Sequence, residues 1–388
     1  MEKYNLIDQS YKLSFRNPKR VYAIKIELLS YYESPIKDMT FIAIKDVVGT
    51  ISSNNQQLTR KTCSLNLLNY DENISDFIYY GNKFALYIGV LVGSDIYWIS
   101  QGIFVVQNAS RNKDYFTLEG VDKGGILDGS VGSNLVETQY VVPVGSNIRD
   151  VIKDTLTLNI ENHITIPVSS SVFSRPIDPM DVLVDMWYKN IYTQSEISID
   201  SNSPIGDLIV SWADGYSANV YYDKNGRLNF VRNIASSLTE NYNKLPINWI
   251  FDDSQVYEAQ YSKRSDIKNV VTVYTNSANF ENVSATTYNT NPQSPNRIDL
   301  IGIRRMESVE IPYVGATPKE QKKYCEAHGE YLLSQEEFNQ NSINLSVILI
   351  PHLDVGDRIM YGEDSFIINS ININLDGTDM SIAANQIR

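Results

Sequence analysis

The residues best suited to chemistry in this sequence are a histidine and two aspartates near its C-terminal end. His352 is followed closely by Asp354 and Asp357, and such side chains serve elsewhere as metal ligands or as acid–base groups. Pro351 and Gly356 interrupt the same stretch, which is typical of a loop between two strands. We therefore predict a structural loop here and no metal site.

Other patterns with catalytic or binding potential are incomplete. Asp223-Lys224-Asn225-Gly226 begins like a calcium loop but lacks the third acidic ligand and the final glutamate, so we predict a hairpin turn. The neighbouring pairs Glu336-Glu337 and Asp252-Asp253 cannot face one substrate as glycosidase carboxylates do. Serine-hydrolase, phosphate-loop, zinc-protease and dinucleotide signatures do not occur. We predict no catalytic residue, no cofactor and no metal, and hence no enzyme.

Tyrosine is abundant, with 26 residues in a chain of 388. Three adjacent pairs, Tyr31-Tyr32, Tyr79-Tyr80 and Tyr221-Tyr222, could stack on sugars or line a protein interface. Ordinary use on strands is the alternative. With only 20% charged residues and many Asn, Ser, Ile and Val, this composition favours a β-rich assembly protein over carbohydrate chemistry.

Charge and cysteine content exclude further classes. The 33 basic and 46 acidic residues give a formal charge of −13, which disfavours binding to nucleic acid or to anionic membranes. Cys63 and Cys325 cannot form a disulfide framework or a cysteine-rich zinc site, and free buried thiols are favoured over one disulfide. The longest apolar run, Phe84 to Val92, is half of a membrane span. Because the N-terminus lacks a signal-peptide pattern, we expect a soluble protein made in a cytoplasm.

The hydrophobic pattern divides the chain into a strand-rich first domain (1–135), an α+β middle domain (136–248) and a second strand-rich domain (249–388). The first region has two predicted hairpins, one turning at Gly93-Ser94-Asp95 and one at 110–114. Many short strands with turns between them favour a barrel or sandwich. We therefore predict a mainly β protein with two β-barrel or sandwich domains around a helical-plus-hairpin middle domain.

Helical periodicity marks the middle region. Ser146 could cap a first helix with apolar positions from Ile148 to Leu156, and Asp178-Pro179 could open a second with Leu183, Val184 and Trp187 on one face. Ser203-Pro204 could open a third, ending near Gly215. A hairpin with the turn Asp223 to Gly226 follows, since Asn-Gly supplies the positive φ that such turns need.

The third region returns to strands. Val270 to Tyr274 is a strong β pattern, and the polar stretch from Asn276 to Asn296 is predicted to be a long loop. A helix then begins with a capping box in which Thr317 is the N-cap, Pro318 the first helical residue and Glu320 the N3 residue.

Three blocks recur in the same order in the first and third regions. Ser64 to Leu68 matches Asn344 to Ile348 in pattern, Gly81 to Phe84 matches Gly356 to Ile359, and Phe104 to Gln107 matches Phe366 to Asn369. An insertion around 93–98 explains the unequal spacing. Duplication is the favoured interpretation, and chance repetition of β patterns is the alternative.

The order of these parts resembles the bacteriophage baseplate or tail hub family, typified by the central hub of phage T4 and including hubs of contractile bacteriocins and secretion systems. The resemblance covers most of the chain. Two segments carry it best, Ile205 to Phe230 with its Tyr-Tyr-Asp-x-Asn-Gly-Arg-Leu hairpin, and Ile350 to Ile359 after the capped helix.

This resemblance implies a homotrimer in which each subunit carries two tail-tube-like domains. Six such domains would match a six-fold tail tube above and a three-fold spike below. Implied partners are the tail tube or distal tail protein, the spike or tail-tip protein and other baseplate proteins, without sequence-specific nucleic acid binding or membrane insertion. The implied location is the virion tail or a tail-like particle, after synthesis in the bacterial cytoplasm.

Two other functions remain open at this level. The chain could bind host cell-wall glycans through its tyrosines, and, less favoured, it could be a cell-wall hydrolase using His352 or Asp354.

Overall fold

A computed structural model describes residues 11, 14–15, 21–44, 47–55, 58–68, 76–131, 140–157, 182–194, 196–199, 203–232, 238–276, 280–377 and 379–387. The predicted helix start at Asp178-Pro179 lies outside these residues. Among the described helices, none combines the length and apolarity needed to cross a bilayer.

The first region forms seven strands of one sheet, called here the first half. They are β1 Tyr22–Leu29, β2 Pro35–Ile44, β3 Val47–Asn54, β4 Lys61–Leu68, β5 Lys83–Val92, β6 Asp95–Arg111 and β7 Tyr115–Asp122. Their order in the sheet is β3-β4-β7-β6-β5-β1-β2. Both predicted hairpins are confirmed, because β5 pairs with β6 and β6 with β7 in antiparallel fashion. Strands β2 and β3 were not predicted from the sequence.

The middle region combines short helices with small sheets. Its elements are α1 Gly124–Leu127, β8 Tyr140–Val142, α2 Ile148–Thr157, β9 Leu183–Val184, β10 Ile197–Ile199, α3 Ile205–Gly215, β11 Ala218–Tyr222, β12 Leu228–Arg232 and α4 Leu238–Asn243. A 3₁₀ turn spans Met186–Asn190. Trp212, Tyr188 and Phe230 are fully buried in a separate core here.

The predicted first and third middle helices and the hairpin are confirmed, but their caps differ. Asn147, not Ser146, caps α2, because its Oδ1 accepts hydrogen bonds from the backbone N–H of Arg149 (3.1 Å) and Asp150 (3.3 Å). Pro204 is the N-cap of α3 and Gly215 its last helical residue.

The predicted second helix is wrong over the residues of this segment that the structure describes. Leu183 and Val184 lie in β9, which pairs in parallel with β12, and Trp187 lies in the 3₁₀ turn. An apolar stripe of this length fits a short buried strand as well as a helix, and pairing with β12 decides between them.

The third region supplies the remaining strands. They are β13 Ile247–Phe251, β14 Val256–Lys263, β15 Val270–Tyr274, β16 Ser284–Tyr288, β17 Met306–Glu310, β18 Asn341–Ile348, β19 Arg358–Tyr361, β20 Asp364–Asn374 and β21 Asp379–Ile387, with helices α5 Ile298–Ile301 and α6 Pro318–Phe338. Strands β13, β14 and β18 to β21 form what is called here the second half. Strands β15 to β17 form a separate small sheet against α6.

Two predictions for this region have opposite outcomes. The cap of α6 is confirmed, since the Thr317 side chain accepts a hydrogen bond from the backbone N–H of Glu320. The predicted loop from Asn276 to Asn296 is wrong in part, because it contains β16. That strand is polar and forms by pairing with β15, so its own hydrophobicity gives no signal.

The two halves share their strand order. The first half has β3-β4-β7-β6-β5, and the second has β14-β18-β21-β20-β19 in the equivalent places. Leu65 lies opposite Leu118, and Leu345 lies opposite Ile382, so the registers agree as well. The halves differ beyond this core, because β1 runs antiparallel to β5 whereas β13 runs parallel to β19. The repeat predicted from three sequence blocks is present in the structure.

Equivalent backbone hydrogen bonds strengthen this comparison. Gly81 and Gly356 have φ of 85° and 87°, and their N–H groups donate to the carbonyls of Val106 and Ile368, each at 2.8 Å. Both glycines precede the strand that carries the matched apolar residue. The hairpin from β5 to β6 is longer than that from β19 to β20, which accounts for the predicted insertion.

One ladder joins the halves into a single sheet, which has 13 strands within the described residues. Strand β20 pairs with β19 through residues 364–367 and with β3 through residues 370–374. A bulge between Ile368 and Ser370 separates these two segments, and β6 has its counterpart between Val106 and Asn108. Side chains of both halves then form one apolar core.

We predict that Gly49→Ala disrupts this connection. Gly49 has φ of +138°, and an added Cβ would lie 2.0 Å from the backbone oxygen of Ser64. Its N–H and carbonyl also bond Asp376 and Leu375. We expect a loss of about 3 kcal/mol or more in the free energy of unfolding, measured by chemical denaturation.

Gly93→Ala is the matched control. Gly93 also has positive φ (+67°) but open space around it, so only the backbone cost of about 1 kcal/mol applies. Equal losses in the two variants would contradict the steric argument.

Candidate functional site

The tip of the hairpin from β11 to β12 lies between the two halves. Hydrogen bonds within the turn stabilise it, because the Asp223 carboxylate accepts from the N–H groups of Asn225 (2.8 Å) and Arg227 (3.0 Å). Gly226 takes the required positive φ of 72°. The predicted hairpin turn is confirmed, and these contacts use one Asp223 oxygen for the turn itself.

Lys224 at this tip reaches the second half. Its Nζ lies 3.4 Å from the carbonyl oxygen of Leu353 and 3.7 Å from Oδ2 of Asp354. The same Asp354 oxygen is 3.2 Å from Nζ of Lys61, on β4 of the first half. One carboxylate thus holds a lysine from each of two other regions, and all three side chains are largely buried.

A second carboxylate repeats this arrangement on the other side of the tip. Glu33 Oε1 lies 2.8 Å from Nζ of Lys83 and 2.5 Å from Nζ of Lys123. Lys123, fully buried, also donates to the carbonyl oxygen of Gly226 at 2.6 Å and lies over the ring of Tyr222. These contacts hold the hairpin against the first half.

Asp122 completes what is called here the junction cluster (Glu33, Arg60, Lys61, Lys83, Asp122, Lys123, Lys224 and Asp354). Its carboxylate accepts hydrogen bonds from the N–H groups of Arg60, Lys61 and Gly124 at 2.8 to 2.9 Å. Burial raises the pKa of Asp122 to about 6, although these hydrogen bonds act in the opposite direction. The Arg60 guanidinium stacks on Tyr221, 3.8 Å from the ring centre.

Both sequence segments that resemble the hub family therefore meet in this cluster through Lys224 and Asp354. Sequence reasoning missed the first-half members Glu33, Lys61 and Lys123. Isolated charged residues are usually exposed, so their types alone give no sign of burial.

The residues first considered for chemistry have structural contacts. His352 Nδ1 lies 3.2 Å from the hydroxyl of Tyr11, and Asp357 accepts a hydrogen bond from the N–H of Asp354 at 2.8 Å. Within the described residues, no group of three or more His, Cys, Asp or Glu is placed to hold a metal ion. The predicted loop between two strands is confirmed, since β18 and β19 flank it.

The neighbouring carboxylates of each predicted pair have separate contacts. Asp252 accepts a hydrogen bond from the N–H of Ser254 at 2.9 Å, whereas Asp253 hydrogen-bonds Tyr361. Glu336 binds Arg264 and the N–H of Lys268, whereas Glu337 binds the amide groups of Asn289 and Asn291.

The two cysteines, Cys63 and Cys325, are free and buried, as predicted. Burial raises the pKa of both thiols. His328 is buried beside Ser217, and burial lowers its pKa.

The tyrosine pairs have different environments. Tyr222 is buried and Tyr221 covers Arg60, so this pair packs against the junction cluster and offers no sugar platform. Tyr79 and Tyr80 are 68% and 57% exposed.

No family model matches the sequence, and no curated protein matches it. Solved structures do. The tail protein from Neisseria meningitidis MC58 matches with a TM-score of 0.56 at 12% identity, over 94% of this chain and 96% of that one. The 43 kDa tail protein of prophage MuSo2 from Shewanella oneidensis matches with a TM-score of 0.53 at 14% identity, over 94% and 98%.

The chain has the fold of phage tail proteins. A chain of the Francisella PdpA–VgrG complex shares it, with a TM-score of 0.53 at 11% identity, over 95% of this chain and 53% of that one. The predicted fold class and the predicted resemblance to phage tail proteins are confirmed at the level of fold.

We predict that Asp354→Asn destabilises the protein by about 2 to 3 kcal/mol. The amide keeps the shape of the carboxylate but leaves two buried lysines without their counter-charge. Chemical denaturation measures the change. Asp266→Asn, which breaks an exposed pair with Arg264, is the control and should leave the midpoint unchanged. Equal losses of unfolding free energy in the two variants would show that burial does not increase the contribution of the cluster's ion pairs to stability.

A pH dependence follows from Asp122. Its folded pKa of about 6 exceeds its ordinary value of 3.8, so between these pH values the folded state binds the proton more tightly. Its contribution to stability is therefore greatest below pH 4 and falls as pH rises through 6, by up to about 3 kcal/mol. The difference in unfolding free energy between wild type and Asp122→Asn, measured from pH 4 to 7, should fall accordingly. A pH-independent difference would contradict the shift.

Proposed function

We propose that the chain is a structural hub of a phage tail or phage-tail-like particle. Three copies form a ring that joins the six-fold tail tube to the three-fold spike and leaves a channel through which DNA passes. The proposal assigns the chain no catalytic activity, and it places the protein in the virion tail after synthesis in the host cytoplasm.

The internal repeat carries this proposal. A three-fold ring of subunits with two similar halves presents six similar β units, as contact with a six-fold tube requires. The second support is the fold, since two matched structures are tail proteins and another belongs to a PdpA–VgrG complex.

Net charge fits a channel for DNA. Three copies would carry three times −13, or −39. A basic channel would bind phosphates and retain the DNA, whereas an acidic one repels it.

The three regions would then divide the contacts. The strand-rich regions 1–135 and 249–388 form the ring and contact the tail tube or distal tail protein and the spike or tail-tip protein. The region 136–248 lies at the outside and contacts other baseplate proteins. The junction cluster fixes this outer region to the ring, because at its hairpin tip Lys224 binds Asp354 of the second half and Gly226 accepts a hydrogen bond from Lys123 beside the first half.

We predict that the purified chain assembles into a trimer of three times 44.0 kDa, or 132 kDa, in sedimentation or light-scattering measurements. Electron microscopy should show a ring with six similar lobes around an open centre. A protein that stays monomeric at every accessible concentration, both alone and with its tail tube protein, would contradict the hub.

A further inference from the structure

Among the described strands, one contact between the two halves of the internal repeat has no equivalent. Within the chain, β3 of the first half pairs with β20 of the second half. The equivalent of β3 is β14, and the equivalent of β20 is β6. Among the described strands, β14 pairs with β18 alone and ends the sheet, so no described strand lies along the other side of its backbone.

The strand β6 has a matching open segment. Its pairing with β5 ends at Val105, whereas its pairing with β7 continues to Arg111. Within the part of the chain that the structure describes, residues 107–110 therefore have a paired strand on the β7 side only. The equivalent segment of β20, after the same bulge, is the part that pairs with β3.

Side-chain burial differs between β14 and its equivalent strand β3. Tyr261 in β14 lies opposite Ile343 in β18, and Ile51 in β3 lies opposite Cys63 in β4. Since Ile343 and Cys63 are equivalent residues, Tyr261 is the equivalent of Ile51. Ile51 is 2% exposed beneath the neighbouring β20, whereas Tyr261 is 58% exposed on the open edge. A large side chain on an open strand edge favours pairing with another chain.

A loop of the first half is also exposed where its equivalent in the second half is docked. The loop 79–82 is equivalent to 354–357, which docks beside Arg60 and Lys61. In that docked loop Asp354 and Val355 are half-buried. In the first half the equivalent Tyr79 and Tyr80, with the preceding Phe77 at 58%, are mostly exposed.

The second half has a cleft at the equivalent place. Gln340 and Asn341 are the equivalents of Arg60 and Lys61, and they line a cleft of about 620 Å³ beneath α6. Leu333 and Phe338 provide an apolar floor, and Asn289 and Asn341 add polar groups. Tyrosine suits such a cleft because its ring is apolar and its hydroxyl can hydrogen-bond.

We propose that the aromatic loop 77–82 of one copy occupies the cleft beneath α6 of the next copy. The same contact pairs β6 residues 108–110 with β14 of that copy, repeating the ladder between β3 and β20. The register then sets Ser110 opposite Ser262, as Asn372 lies opposite Ser52 within the chain. This inference rests on the proposed ring and specifies its contact.

Engineered cysteines test the register. The template pair is close, since Ser52 Oγ donates to Asn372 Oδ1 at 3.0 Å, and directly opposite strand residues suit a disulfide. Oxidised full-length Ser110→Cys/Ser262→Cys should give covalent dimers and trimers and no larger species on a non-reducing gel. Ser110→Cys/Tyr261→Cys, shifted by one residue so that the thiols lie on opposite faces, should stay largely uncrosslinked.

Tyrosine variants test the loop. Tyr79→Ala should raise the concentration needed for half-assembly about tenfold, as loss of a central aromatic contact does. Tyr192→Ala, which removes another exposed tyrosine, should leave it unchanged. A trimer that forms without the Ser110–Ser262 link, or that tolerates Tyr79→Ala, would overturn this contact and leave the hub intact. A persistent monomer would instead remove the hub itself.

Discussion

The ladder between β3 and β20 is the constraint on which the rest of the molecule depends. Five residue pairs, from Ser370 opposite Asn54 to Asn374 opposite Thr50, convert two similar sheets into one. The bulge in β20 makes this possible, because it ends pairing with β19 and turns the remaining strand toward β3. The shared apolar core and the position of the hairpin tip both follow from this connection, since they need the halves at a fixed separation and angle.

The junction cluster specifies that geometry further. Buried charges cost solvation free energy, which only well-placed partners offset. Here each carboxylate has more than one donor: Glu33 contacts two lysines, Asp122 three backbone N–H groups and Asp354 two lysines. A displacement of any one region would leave buried charges unpaired. The cluster therefore favours one relative arrangement of the first half, the second half and the middle hairpin over its alternatives.

The two halves have similar folds but different surroundings. The two halves keep their strand order, their glycine turns and their bulges, which set the shape of each sheet. Their exposed loops have diverged: the docked loop of the second half carries Asp354, whereas the exposed loop of the first half carries Tyr79 in the equivalent place. A charged residue suits the lysines within the chain, and a tyrosine suits the contact proposed between copies because its ring is apolar and its hydroxyl can hydrogen-bond.

Local patterns in the sequence determined most of the elements and their repetition. The cap at Thr317, the Asn-Gly turn before Arg227 and the three repeated blocks depend on neighbouring residues, and each is present in the structure. Tertiary structure decided the rest. Polar β16 and two-residue β9 exist through their partner strands. The junction cluster depends on residues as far apart as Lys61 and Asp354, and burial of a lysine is a property of the groups that surround it, which no local pattern contains.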